Sequence, residues 1–145
     1  MADRTERSAL NHILEACRDG ELGLREAADQ VISPLLRKML LDLASQRERF
    51  ATELLPFAQR LGGEETGDGT LMGAMHRRWM TLRGRLTHDH DNAFVSEAAR
   101  AEQTTIEAYE EALHGMLPPT ALETIERQYA QVREANERIR TIALN

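Results

Sequence analysis

Apolar residues recur along most of this chain at alternating intervals of four and three, the spacing that gathers them on one face of an α-helix. Leu10, Leu14, Cys17, Leu24, Ala28 and Val31 form the first such stripe, in a segment from about Thr5 to Val31. Ser33-Pro34 ends it and opens the next, because proline suits the first turn of a helix. Leu36, Leu40, Leu43, Phe50, Leu54, Phe57 and Leu61 repeat the pattern up to the Gly62-Gly63 stop, with Pro56 expected to kink the helix. GGEETGDGT reads as a loop, and Leu71 to Leu86 as a shorter amphipathic helix with Met72, Met75, Trp79, Leu82 and Leu86 on one side. After His88-Asp89-His90-Asp91, with Asp91 or Asn92 as the cap, a third long stripe reads Val95, Ala98, Thr105, Tyr109, Ala112 and Met116. Gly115 to Pro119 closes it, and Leu122, Ile125, Tyr129, Val132, Ile139 and Ala143 form a fourth.

Helices of about 25 residues span nearly 40 Å at about 1.5 Å per residue. The links within the first pair and within the second are short, so each pair is expected to run antiparallel. Roughly thirty residues separate the pairs, enough for a connection that returns along the bundle. The prediction is an all-α four-helix bundle of up-down-down-up order, its long crossover carrying a short fifth helix, in one domain over residues 1–145.

Charge interrupts these stripes. At about 100° per residue, Glu21, Arg47 and Glu102 each fall within roughly 45° of the centre of their own apolar face, and Asn136, with Arg133 one turn before it, falls at the matching place in the fourth helix. Counted from the same end of the bundle, Glu21 stands about sixteen residues up, Arg47 about fourteen and Glu102 about fifteen, so the positions share a layer. Buried charges are rare unless paired or holding a metal. Ferritin-like di-metal bundles place their ligands at such a level, using a Glu from each of two helices and a Glu-x-x-His from each of the other two. Here Glu21 and Glu102 remain, while the other two elements read Arg47-Glu48-Arg49-Phe50 and Arg133-Glu134-Ala135-Asn136. Guanidinium groups repel cations, so Glu21, Arg47, Glu102, Arg133 and Asn136 are expected to form an internal salt-bridge layer with no metal and no other cofactor.

The alternative is a carboxylate site for iron or manganese, built on Glu21 and Glu102 and handling iron, oxygen or peroxide. It lacks nitrogen ligands: Glu111-x-x-His114 lies about two turns beyond Glu102 and off its stripe, and His12-x-x-Glu15 is near the base of the first helix.

The stretches QRERFATELLPFAQRLGG, GAMHRRWMTLRGRLT, RAEQTTIEAYEEALHGMLPP and RQYAQVREANERIR resemble the bacterial ferritin-like four-helix-bundle family catalogued as domain of unknown function 2383, over about Leu10 to Ile142. The resemblance implies a ferritin-like fold and no settled activity. The family's general character adds a stress-response setting as an expectation, while the charged layer in place of metal ligands points to a non-enzymatic structural or interaction role.

Composition narrows the field further. A net charge of −6 gives no support to nucleic-acid binding, for which a basic face is needed. No stretch reaches the roughly 20 apolar residues of a membrane span, and the polar start MADRTERSALNHIL does not read as a signal sequence, so a cytoplasmic location is expected. Cys17 is the single cysteine and reads as a small hydrophobe in the first stripe. No Ser-His-Asp order, phosphate loop or paired-cysteine motif supports catalysis. His88-Asp89-His90-Asp91 reads as helix capping before it reads as a metal site, and Met72, Met75, His76 and Met80 as packing. Arg77, Arg78, Arg83 and Arg85, with no acidic residue between Leu71 and Thr87, form a basic island suited to an anion or an acidic protein partner. Long amphipathic faces also fit a homodimer.

Overall fold

The computed structural model describes residues 4–60, 90–115 and 117–144, with side chains over 8–60, 91–115 and 117–142. Four helices account for nearly all of them: α1 (Arg4–Gln30), α2 (Pro34–Arg60), α3 (His90–Leu113) and α4 (Pro119–Leu144). No strand occurs among the described residues. The crossover helix expected over 71–86, with Arg77, Arg78, Arg83 and Arg85, lies outside them.

The turn between α1 and α2 shows why the chain reverses there. Ser33 Oγ accepts the Leu36 N–H at 3.2 Å, capping the start of α2. Arg37 reaches back from α2 to the open end of α1, donating from Nε to the Ala28 carbonyl at 3.1 Å and from Nη2 to the Val31 carbonyl at 2.9 Å. Of the two residues expected as caps of α3, Asp91 and Asn92, Asp91 turns its carboxylate to the N–H groups of Ile32 at 2.8 Å and Ser33 at 2.9 Å. That contact fixes the start of α3 beside the end of α1. Pro56 lies inside α2 on its exposed side, where water can serve the Thr52 carbonyl left without a helical partner, and the helix continues to Arg60.

Each described helix packs on two others. α1 lies against α2 and α3, and α4 against α3 and α2, while α1 and α4, and likewise α2 and α3, stand on opposite corners. Cross-helix contacts set the directions. His12 near the start of α1 meets Glu111 near the end of α3, and Glu53 late in α2 meets Arg127 early in α4 at 3.0 Å. Neighbouring helices therefore run antiparallel.

The core divides into two apolar clusters. One gathers Leu24, Val31, Leu40, Leu43, Phe94, Val95, Ala98 and Ile139, and the other Leu10, Ile13, Phe50, Leu54, Ile106, Tyr109, Ile125 and Val132. Each fully buried Leu, Ile or Phe contributes roughly 1.5–3 kcal/mol of transfer free energy. Between the clusters every helix changes to small or polar residues: Gly20 in α1, Arg47 in α2, Glu102 and Thr105 in α3, Asn136 in α4.

Asp19 departs from the stripe pattern. It is 1% exposed, neither carboxylate oxygen has a hydrogen-bond partner, and burial together with the charge of Glu15 raises its carboxyl to about 7. A carboxyl raised in the folded state favours folding when protonated, so its contribution is fully present below about pH 4 and is lost as pH rises towards 7. Asp19→Asn is therefore expected to raise stability at pH 8 by more than about 1 kcal/mol, with the gain shrinking as pH falls from 7 towards 4. Urea unfolding across that range measures it.

Candidate functional site

Arg47 is the largest fully buried side chain among the described residues, at 0% exposure. It extends from α2 through the middle of the bundle to Glu102 of α3, which is 1% exposed, and Nη2 donates to Glu102 Oε2. The two helices are diagonal partners, so a long side chain is needed to join them. Nη1 donates to Gln46 Oε1, and the guanidinium carbon stands 5.8 Å from the centre of the Phe50 ring.

Gly20 makes this reach possible. A β-carbon there would lie 3.7 Å from Arg47 Cγ and Cδ and 3.8 Å from Nε. A methyl group could be accommodated, but a longer side chain in that direction would take the space of the arginine stem. Burial pulls the guanidinium below its ordinary pKa, opposed by its interactions with Cys17 and Tyr109. Arginine nonetheless stays protonated in proteins, so the buried pair is ionic. Two polar atoms at this level have no hydrogen-bond partner, Arg47 Nε and Asn136 Oδ1.

A second chain of hydrogen bonds lies beside the pair and touches all four helices. Gln128 donates from Nε2 to the Phe50 carbonyl at 3.4 Å and to Glu53 Oε1 at 2.8 Å, two groups that only accept. Its Oε1 then accepts the Tyr109 hydroxyl at 2.6 Å. Having given that proton away, Tyr109 Oη is left to accept from the Cys17 thiol at 3.4 Å. Burial raises the Cys17 pKa despite this bond and the nearby Arg47 and Arg18 charges. The Tyr109 pKa is raised well above its ordinary value, first by burial and then by Cys17. Both groups stay neutral at physiological pH, so Cys17 is neither a thiolate nucleophile nor a ready metal ligand.

The five residues expected in one layer therefore separate. Arg47 and Glu102 are joined, and Asn136 is buried at their level with 4% exposure. Glu21 is only partly buried and accepts from Arg25 Nε at 2.9 Å on its own helix; Arg25 continues to Glu48 at 3.6 Å. The buried face of α1 centres on Cys17, Gly20, Leu24 and Ala27, which leaves Glu21 about 70° to one side. Arg133 is exposed, its guanidinium carbon 5.7 Å from the Tyr129 ring centre. It stands roughly 110° from the face formed by Ile125, Gln128, Val132, Ala135 and Ile139. Gly20 and Gln128 escaped the sequence reading because a hydrophobic stripe gives no weight to glycine and favours Tyr129 over its polar neighbour. Their recurrence with the buried residues around them was the available signal. Among the described residues, no three His, Cys, Asp or Glu side chains gather closely enough to share an ion.

Arg47→Met leaves Glu102 as an unpaired buried carboxylate and is expected to cost about 3–5 kcal/mol of folding stability, well beyond the range of an exposed pair. Chemical denaturation measures this directly.

Among curated proteins none matches the chain. The match to a known family covers residues 5–115, which takes in α1, α2 and α3 and ends at the turn before α4. That is well over half the sequence, and the chain belongs to the family described as Domain of unknown function (DUF2383).

Proposed function

We propose that this protein is a ferritin-like bundle, up-down-down-up with a fifth helix in its crossover, whose di-metal site has become an internal ion pair. It acts without catalysis, as a structural or interaction protein of the cytoplasm in a stress response. The antiparallel neighbours and the opposite placement of α2 and α3 support that topology. The observation that carries the rest is the buried contact of Arg47 with Glu102. A guanidinium occupies the level at which such bundles hold their cations, and it engages the buried carboxylate of Glu102.

The residues at this level do not fit a pair of metal ions. Glu102 is committed to Arg47, Glu21 is turned towards Arg25, and Gly20 and Asn136 add no anionic ligand. No redox or oxygen chemistry is accordingly assigned to the layer. Partners in this reading are a second copy or an acidic protein meeting the Arg77, Arg78, Arg83 and Arg85 island. Among the described residues no helix is long and apolar enough to cross a membrane.

Elemental analysis of protein purified without an affinity tag is the test. The expected result is no stoichiometric transition metal. Stoichiometric iron or manganese that disappears in Glu21→Ala and Glu102→Ala would favour a metal-carboxylate protein instead.

A further inference from the structure

α2 and α4 make the least backbone contact of the neighbouring pairs. A groove of ≈ 440 Å³ opens along them. Its lining on α2 runs from Leu35 to Arg49, about 21 Å at 1.5 Å per residue, and Arg138 contributes from α4. The floor is apolar towards Leu35, through Met39 to the buried Leu43. The opposite end is polar, with Gln46 and Arg49.

Two features make this more than a gap between helices. Arg49 and Arg138 have no hydrogen bond or ion pair among the described residues, whereas Lys38 is matched by Asp42 at 2.8 Å. The groove is thus net positive on a chain of net charge −6. Gln46 also has its Oε1 engaged by the buried Arg47, which leaves its amide NH2 to donate to an incoming acceptor.

Chemistry selects the occupant. An apolar floor from Leu35 to Leu43 that leads to the Arg49 and Arg138 guanidinium groups and the Gln46 amide matches a ligand with an acyl tail and an anionic head. A second copy placed groove to groove would bring two sets of unpaired arginines together. We propose that the groove between α2 and α4 binds a fatty acid, its carboxylate held by Arg49, Arg138 and the Gln46 amide and its acyl chain lying over Leu43, Met39 and Leu35. This site is independent of the ion-pair layer assigned above, although Gln46 touches both.

Calorimetric titration of the purified chain with octanoate, decanoate and dodecanoate, each below its micelle concentration, tests the proposal. One-to-one binding is expected, tightening about fourfold per added methylene. Dodecyltrimethylammonium, with the same tail and the opposite head charge, is expected not to bind. The surface double variant Arg49→Glu, Arg138→Glu should weaken dodecanoate by at least about tenfold with the helical circular dichroism unchanged. Leu35→Glu, at a position 80% exposed and so safe for folding, should weaken dodecanoate more than octanoate.

Absence of dodecanoate binding overturns the proposal, as does equal binding of the cationic amphiphile or full affinity in the double charge reversal. It is equally overturned if an acidic amphipathic peptide takes the groove while dodecanoate does not. The same holds if sedimentation shows a dimer that Leu35→Glu dissociates and dodecanoate leaves untouched.

Discussion

Taking a guanidinium and a carboxylate out of water costs several kcal/mol per ion, and their attraction repays it only when the pair is well placed. Arg47 and Glu102 meet that condition at the centre of the bundle, each almost completely buried. Their position constrains much else. They join α2 to α3, the corners that share no direct backbone packing, and they interrupt the apolar core so that it forms one cluster on each side. Gly20 leaves the path for the arginine stem, and Gln46 and Phe50 take up its remaining faces. An apolar layer could provide similar stability. What the ion pair adds is discrimination, because sliding α2 by a turn would strand both charges away from their partners.

The hydrogen-bond chain from Cys17 through Tyr109 and Gln128 to Glu53 acts beside it in the same sense. Each member has its donor and acceptor roles fixed by the next, so the chain fits only one register of the four helices. Its inner members are neutral and its outer end is the Glu53–Arg127 contact at the surface, which leaves Arg47 as the strongly positive group of the interior.

Much of this could be read from the sequence. The alternating four and three spacing located the four long helices, because burying one face of each is what stabilises them. It also singled out Arg47 and Glu102, whose charge falls well inside their stripes. The same reasoning misjudged Glu21 and Arg133, because a stripe drawn from hydrophobic residues alone can lie tens of degrees from the buried face. In α1 small residues on the true face, Gly20 and Ala27, pull it away from Glu21. In α4 the buried Gln128 and Ala135 do the same to Arg133. Asp19 was not legible at all, since its burial lies off the single face that periodicity reports. The groove between α2 and α4 depends on how far two helices part, which no spacing within one helix encodes.

The central claim is that Arg47 and Glu102 act on each other as a buried unit. A double-mutant cycle of Arg47→Met and Glu102→Gln, read by urea denaturation at neutral pH, isolates that interaction from the cost of each substitution. The predicted result is a coupling energy above about 2 kcal/mol, with the double variant more stable than the summed single losses allow. A coupling below about 1 kcal/mol, the range of solvent-exposed pairs, would contradict it.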